Sequence, residues 1–250
     1  MKASEYPRFF EFETTHWWFR GLHSVLGDIL RDLDIDSSAR VLDAGCGTGG
    51  FMARLRAATT ASVFGFDLAN EAPPFWEKRE IATAFRASVN EIPLATDSID
   101  TVFCINVFEC DEVDPLTAYH ELWRITRPGG HLVLSMPGHH WLGNKAHDAV
   151  IHTSRRFTRR DLAAILATRP VVIKRHTHAF PLFLPMIAAW RFGAAVRQKF
   201  VDVEPQTDLS TLPLWLNETL YGLTQVERWL LRRLDFPFGS SLICVLRKDG

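Results

Sequence analysis

Residues 40–50 read Arg-Val-Leu-Asp-Ala-Gly-Cys-Gly-Thr-Gly-Gly, and this run constrains the fold more than any other. Val41 and Leu42 begin a short apolar strand that ends near Asp43. Gly45, Gly47 and Gly49 let the backbone turn tightly and leave room for a ligand against the main chain. Residues 51–56 then have the composition of a helix's first turns. A strand, a glycine turn and a helix N-terminus form a nucleotide-type cofactor site at the carboxyl edge of a parallel sheet. The glycines alone leave the cofactor open, because Gly45, Gly47 and Gly50 also satisfy the G-x-G-x-x-G pattern of dinucleotide enzymes. Asp67 closes a second apolar strand, Val63-Phe64-Gly65-Phe66-Asp67, where a carboxylate can accept from both ribose hydroxyls. Either cofactor class would use it.

The rest of the chain alternates strands and helices. Apolar runs predict strands near 40–44, 62–67, 82–87, 99–105, 130–135, 171–174 and 242–246. Helical periodicity falls at 17–34, 49–58, 114–126 and 159–168, the last with Thr158 as N-cap. This alternation predicts an α/β fold with a mostly parallel sheet and helices on both faces. The domain plan has four parts: a lid helix within 1–36, a cofactor-binding core over 37–178, a helical cap over 179–240, and the core's last strand at 241–250. The cap carries two helical patterns, at 186–201 and 213–234.

Composition narrows the function classes. The apolar fraction of 47% supports a sizeable core, and a net charge of −1 provides no global attraction for nucleic acid. Cys46, Cys104, Cys110 and Cys244 lack C-x-x-C spacing, which argues for reduced thiols rather than a disulfide frame or zinc site. The first residues carry no apolar signal core, and no run reaches the roughly 18 apolar residues of a spanning helix. The expectation is a cytoplasmic protein.

Three stretches occur in order and at suitable spacing: Asp43 with the glycine turn, Ile99-Asp100-Thr101-Val102-Phe103-Cys104, and Arg127-Pro128-Gly129-Gly130-His131-Leu132-Val133-Leu134. As a set, over residues 40 to about 135, they resemble the class I S-adenosylmethionine-dependent methyltransferases. The resemblance implies a doubly wound, Rossmann-like sheet of seven strands in the order 3-2-1-4-5-7-6, the last antiparallel. His16-Trp17-Trp18-Phe19-Arg20 and the segment from Phe236 to Leu242 are similar to a bacterial subgroup linked with glycan and other surface-polymer biosynthesis. The implied activity is methyl transfer from S-adenosyl-L-methionine to a small-molecule or glycan-like acceptor, with oxygen preferred. A NAD(P)-dependent oxidoreductase and a non-catalytic S-adenosylmethionine-binding module are the alternatives.

The resemblance also implies the cofactor residues. Gly45, Cys46 and Gly47 should lie under the methionine part, with Asp43 near its ammonium group. Asp67 and Leu68 should hold the ribose, and Ser88 and Val89 the adenine. The family usually has aspartate where Ser88 stands, which weakens that contact. Asn106 and Val107 should line the floor where cofactor meets acceptor. The family often has histidine where Cys110 stands, so no base carries over there.

The aromatic cluster admits two readings. One is a hydrophobic anchor for the leading helix. The other is a lid, with Trp18 facing the sulfonium and Arg20 reaching the methionine carboxylate. If 145–153 is helical, Asp148 and His152 lie one turn apart, and a carboxylate orienting a histidine makes a usable general base. A structural or substrate-positioning role is the competing reading. A metal role is disfavoured, because the sheet edge offers no carboxylate set. Arg155, Arg156, Arg159 and Arg160 read either as a solvated face or as a site for an anionic acceptor. The cap helices read as a buried cap or homodimer face, with peripheral membrane or lipid-linked substrate contact as the alternative.

Overall fold

The computed structural model describes residues 2–197, 207 and 210–249. Its sheet has seven strands: β1 (Arg40–Ala44), β2 (Ser62–Asp67), β3 (Ala84–Arg86), β4 (Ile99–Ile105), β5 (Thr126–Pro137), β6 (Val171–Ala179) and β7 (Ser241–Lys248). Their order is β3-β2-β1-β4-β5-β7-β6, as the resemblance implies. β7 runs antiparallel to both neighbours, and the remaining pairs are parallel. The helices are α1 (Tyr6–Thr15), α2 (Trp17–Asp32), α3 (Gly50–Ala58), α4 (Pro73–Lys78), α5 (Pro115–Ile125), α6 (Lys145–Ile151), α7 (Arg159–Leu166), α8 (Leu184–Arg197) and α9 (Leu214–Leu231).

The period-2 pattern of the strands divides the core into two. Val41, Phe103, Val133, Ile243 and Val245 face one side, where Leu22, Leu26 and Ile29 of α2 and Phe51, Met52 and Leu55 of α3 cover them. Leu42, Val102, Leu132, Leu134 and Leu246 face the other, under Tyr119, Leu122 and Ile125 of α5 and Leu162 and Leu166 of α7. Both faces are buried, so the strands read as continuous apolar runs.

Three features depart from expectation. α1 is a separate helix, entered at Pro7 and ended where His16 begins α2 as its N-cap. β5 starts at Thr126, immediately after α5, because Thr126 pairs with Ile99 before the ladder shifts register. β6 continues to Ala179, since His176, Thr177 and His178 pair with Cys244, Ile243 and Leu242. Polar side chains hide that part of the strand from an apolar-run search. Residues 198–201 of the expected 186–201 helix lie outside the described residues.

α9 docks on α2 through charge. Asp28 of α2, 6% exposed, accepts from Arg228 at 2.7 and 2.6 Å and from Arg232 at 2.8 and 3.1 Å, both near the C-terminal end of α9. Gly21 allows the close approach, because a Cβ there would lie 2.9 Å from Thr224. Glu227 accepts from the Phe180 N–H, which ties α9 to the chain leaving β6. Among the described residues no helix is long and apolar enough to cross a membrane.

Candidate active site

β1 lies between β2 and β4, with Ala44 level with Phe66 and Cys104, so the C-terminal ends of all three strands meet at one edge. The glycine turn leaves β1 there. The Gly45 and Cys46 N–H groups both donate to the Phe66 carbonyl at 2.8 Å. Gly45 has φ +82°, and a Cβ would collide with the Val107 side chain. Gly47 has φ +53°, and a Cβ would make ordinary contact with Glu13 Oε1 at 3.5 Å. The turn is held from outside by Trp76, whose indole N–H donates to the Gly47 carbonyl at 2.8 Å, and by Arg79, which donates to the Thr48 carbonyl at 3.0 Å.

Above this edge is a cavity of about 1030 Å³, at the upper end of ligand-pocket sizes. It brings together Asp43, Gly45, Cys46, Gly47, Asp67, Leu68, Ser88, Val89, Asn106, Val107 and Trp18, all expected from the sequence. Asp67 Oδ2 accepts from the Gly47 N–H at 2.8 Å and Oδ1 from the Ala69 N–H at 3.0 Å. Burial raises the pKa of the Asp67 carboxyl from its ordinary value, against the Ala69 and Gly47 N–H groups. Asp43 is 2% exposed and its Oδ2 has no hydrogen-bond partner. Burial, then the charges of Glu13 and Asp67, push its pKa well up. Ser88 Oγ accepts from the Asn90 N–H at 3.1 Å.

The aromatic cluster packs and lines at once. Trp17 lies against Phe183 (4.8 Å between centroids) and Trp18 stacks with Phe180 (5.8 Å). His16, Trp17, Trp18 and Phe19 all form cavity wall. Burial lowers the pKa of His16 to about 4 and that of His23 to about 3. Both line the cavity as neutral imidazoles and add no positive charge to it.

Three expectations are corrected. Arg20 is not part of the cavity wall. It donates to both oxygens of Glu218, at 2.5 and 3.2 Å, and lies 3.7 Å over the Tyr221 ring, because α9 brings both to it. Asp148 does not orient His152. α6 ends at Ile151 and His152 turns away in the left-handed conformation, while Asp148 binds Arg156 at 2.5 Å. His152 still lines the cavity. The arginine run is not a solvated face throughout. Arg155 donates to the Cys110 and Val113 carbonyls, Arg159 to those of His176 and Phe236, and Arg156 is 8% exposed.

Two carboxyls enter the site that the sequence pattern does not single out. Glu13, on α1, accepts at Oε2 from the Gly50 N–H (2.8 Å), the Thr48 hydroxyl and Arg79 (3.3 Å). Burial raises its pKa to about 7, against the pull of those partners. Glu109 lies in the turn after β4, 5% exposed, with Oε2 unpartnered. Burial raises it to about 8, opposed by its own backbone N–H and by Arg156. A Glu two residues past Val107 is a visible signal; Glu13, some thirty residues ahead of the glycine turn, carries none. Besides Glu109 the cavity is lined by Cys110, His147, His152, Thr153 and Arg156, and by Met186, Ile187, Trp190 and Leu216. Among the described residues no group of three or more His, Cys, Asp or Glu could hold a metal ion.

Comparison with known proteins agrees with this architecture. Residues 42–134 match the methyltransferase domain family. The chain is 29% identical over 141 residues to a ubiquinone biosynthesis O-methyltransferase of Alkalilimnicola ehrlichii, covering 50% of this chain and 56% of that protein. It is 34% identical over 135 residues to a malonyl-[acyl-carrier protein] O-methyltransferase of Methylococcus capsulatus, covering 50% and 48%. The chain thus spans about half the length of these relatives. Among solved structures, a chain in the complex of the Haloferax volcanii Trm112 methyltransferase activator with a methyltransferase has a TM-score of 0.63 at 17% identity, covering 99% of this chain and 97% of that one. Geranyl diphosphate C-methyltransferase of Streptomyces coelicolor, in complex with S-adenosyl-L-homocysteine, has a TM-score of 0.57 at 16% identity, covering 90% and 78%. Residues 42–134 hold a methyltransferase domain, and with the ordered motifs and the strand order they place this part of the chain in the class I S-adenosylmethionine-dependent methyltransferase superfamily.

Proposed function

We propose that this protein transfers the methyl group of S-adenosylmethionine to a hydroxyl oxygen of a small molecule with an apolar body. The observation that carries the reading is that one cavity is lined both by the glycine turn with its acids and by a further carboxyl with apolar side chains. At the glycine turn, Asp43 presents an unpartnered buried oxygen and Gly47 leaves space against the backbone. These features fit the cationic amino-acid part of the donor. Asp67, Leu68, Ser88 and Val89 would hold the ribose and adenine along the same wall. When bound, the donor supplies a methyl group activated by the sulfonium charge, so the protein's task is alignment and exclusion of water.

The remaining lining would take the acceptor. Met186, Ile187, Trp190 and Leu216 offer it an apolar wall, and Glu109 a carboxyl. With the donor bound, the acceptor oxygen would gain the methyl carbon as the bond from carbon to sulfur breaks, with the electron pair left on sulfur. The hydroxyl proton passes to Glu109, whose pKa of about 8 suits proton exchange near neutral pH. The names of two relatives, both O-methyltransferases, support oxygen as the acceptor atom.

Calorimetric titration with S-adenosylhomocysteine and with NAD tests the cofactor reading. The expected result is saturable binding of the first and none of the second; the reverse would make the protein an oxidoreductase. Asp67→Ala should weaken S-adenosylhomocysteine by about 10- to 100-fold, because the ribose hydroxyls lose a charged acceptor. Unchanged affinity would remove Asp67 from the ribose site. Donor turnover with a panel of simple phenols and aliphatic alcohols then tests the acceptor class, and methylation confined to amines would sink the oxygen assignment.

A further inference from the structure

We propose that Glu13 is the second carboxylate of a two-acid seat for the α-ammonium group of the methyl donor, opposite Asp43. This rests on the donor reading above and extends it to a residue outside the motif region.

The two oxygens of Glu13 have different surroundings. Oε2 is anchored to the helix that follows the glycine turn, by the Gly50 N–H at 2.8 Å and the Thr48 hydroxyl, and by Arg79 at 3.3 Å. No hydrogen bond among the described residues engages Oε1, which lies 3.5 Å from the position a Gly47 Cβ would take. Glu13 therefore presents one fixed oxygen to the turn and one to the cavity it lines. Asp43 lines the same cavity from the end of β1, with its buried Oδ2 unpartnered.

Charge balance gives the pair a ligand. Asp43, Asp67 and Glu13 crowd one turn, and the charges of Glu13 and Asp67 both disfavour ionisation of Asp43. The one guanidinium in contact with Glu13 among the described residues, Arg79, is also bound to the Phe10 and Thr48 carbonyls. A cation arriving between Glu13 and Asp43 would relieve the repulsion and satisfy the orphaned oxygen. A metal ion does not suit the site, because among the described residues no cluster supplies enough ligands. A primary ammonium does: it carries three N–H donors on a compact charge. In the donor that group belongs to the amino-acid part, the portion expected over Gly45 and Gly47. Because Glu13 rides on α1, the same contact would seat α1 over the bound donor.

The test compares two ligands that differ in this group. S-adenosylhomocysteine carries the amino-acid chain; 5′-methylthioadenosine keeps the adenosine and sulfur and lacks it. Glu13→Gln keeps an oxygen for the Gly50 N–H and removes the charge. By calorimetry the variant should bind S-adenosylhomocysteine about 10- to 100-fold more weakly than wild type, with methylthioadenosine affinity within about twofold. Thermal unfolding should show the variant folded, and Asp43→Asn should show the same ligand selectivity. Equal loss for both ligands would make Glu13 a structural tie between α1 and the turn and overturn the proposal. Unchanged affinity for both would overturn it as well. Wild-type protein that binds neither ligand would instead refute the donor reading, and the seat would fall with it.

Discussion

Glu109→Gln is expected to lower kcat for a methylated phenol or alcohol by about 10²–10⁴, the usual contribution of a positioned base. S-adenosylhomocysteine affinity should stay near wild type, because Glu109 is proposed to serve the acceptor and not the donor. The pH–rate profile separates this from a structural effect. A base works only when deprotonated, so wild-type kcat/KM should rise with pH through about 8, where burial has moved the Glu109 carboxyl. Glu109→Gln should lose that limb. His152→Ala is the companion variant, since His152 lines the same cavity. Should it show the larger loss in kcat, with the limb retained in Glu109→Gln, the histidine is the base and Glu109 is not.

Stability gives a second readout for the same residue. Glu109 has its pKa raised in the folded state, from the usual 4.5 to about 8. Between those values the native chain binds more protons than the unfolded chain, so stability falls as pH rises across the interval. Glu109→Gln removes that slope and leaves no ionisable group to desolvate. Denaturant unfolding at pH 5 and pH 8 should therefore show a smaller difference for the variant than for wild type. A variant that loses activity and gains stability at pH 8 is the pattern of a residue kept for function.

Gly47→Val is expected to abolish donor binding, with no S-adenosylhomocysteine bound up to about 100 times the wild-type Kd. Two effects combine. At φ +53° a β-branched residue is strained. The added side chain would also crowd Glu13 Oε1, beside which the donor's amino-acid part is proposed to lie. The sheet should survive, because Gly47 lies beyond the end of β1. Circular dichroism should match wild type, and Gly47→Ala should retain partial binding. Normal affinity in Gly47→Val would show that the glycine turn is not the donor site.

Much of the frame is legible in local pattern. β1, the turn and α3 are contiguous, and their geometry follows from residues close in the chain: apolar pairs for the strand, glycines for positive φ, Asp67 at the end of the next strand. The parallel strands are buried on both faces and stand out as apolar runs for that reason. β6 looks shorter in the sequence than it is, because its distal half is polar and is held by pairing to β7, where Ala179 meets Ser241.

Side-chain partners across the fold are not legible, and these decide the site. Arginines bind carboxylates, which makes Arg20 a natural candidate for the cofactor, but the carboxylate it binds is Glu218, 198 residues away. Helical spacing pairs Asp148 with His152, but the helix ends at Ile151 and Arg156 takes the carboxylate. Spacing specifies which residues can share a helix face; it does not specify which charge will stand beside another once both are withdrawn from water. The chain by itself therefore determined the sheet, the turn and the edge of the sheet at which a cofactor can lie, because each depends on backbone preference and apolar period. Only the tertiary structure decided that Glu13 and Glu109 enter the cavity and that Arg20 and Asp148 are engaged elsewhere, because burial leaves each charged group to the partners the packing brings within reach.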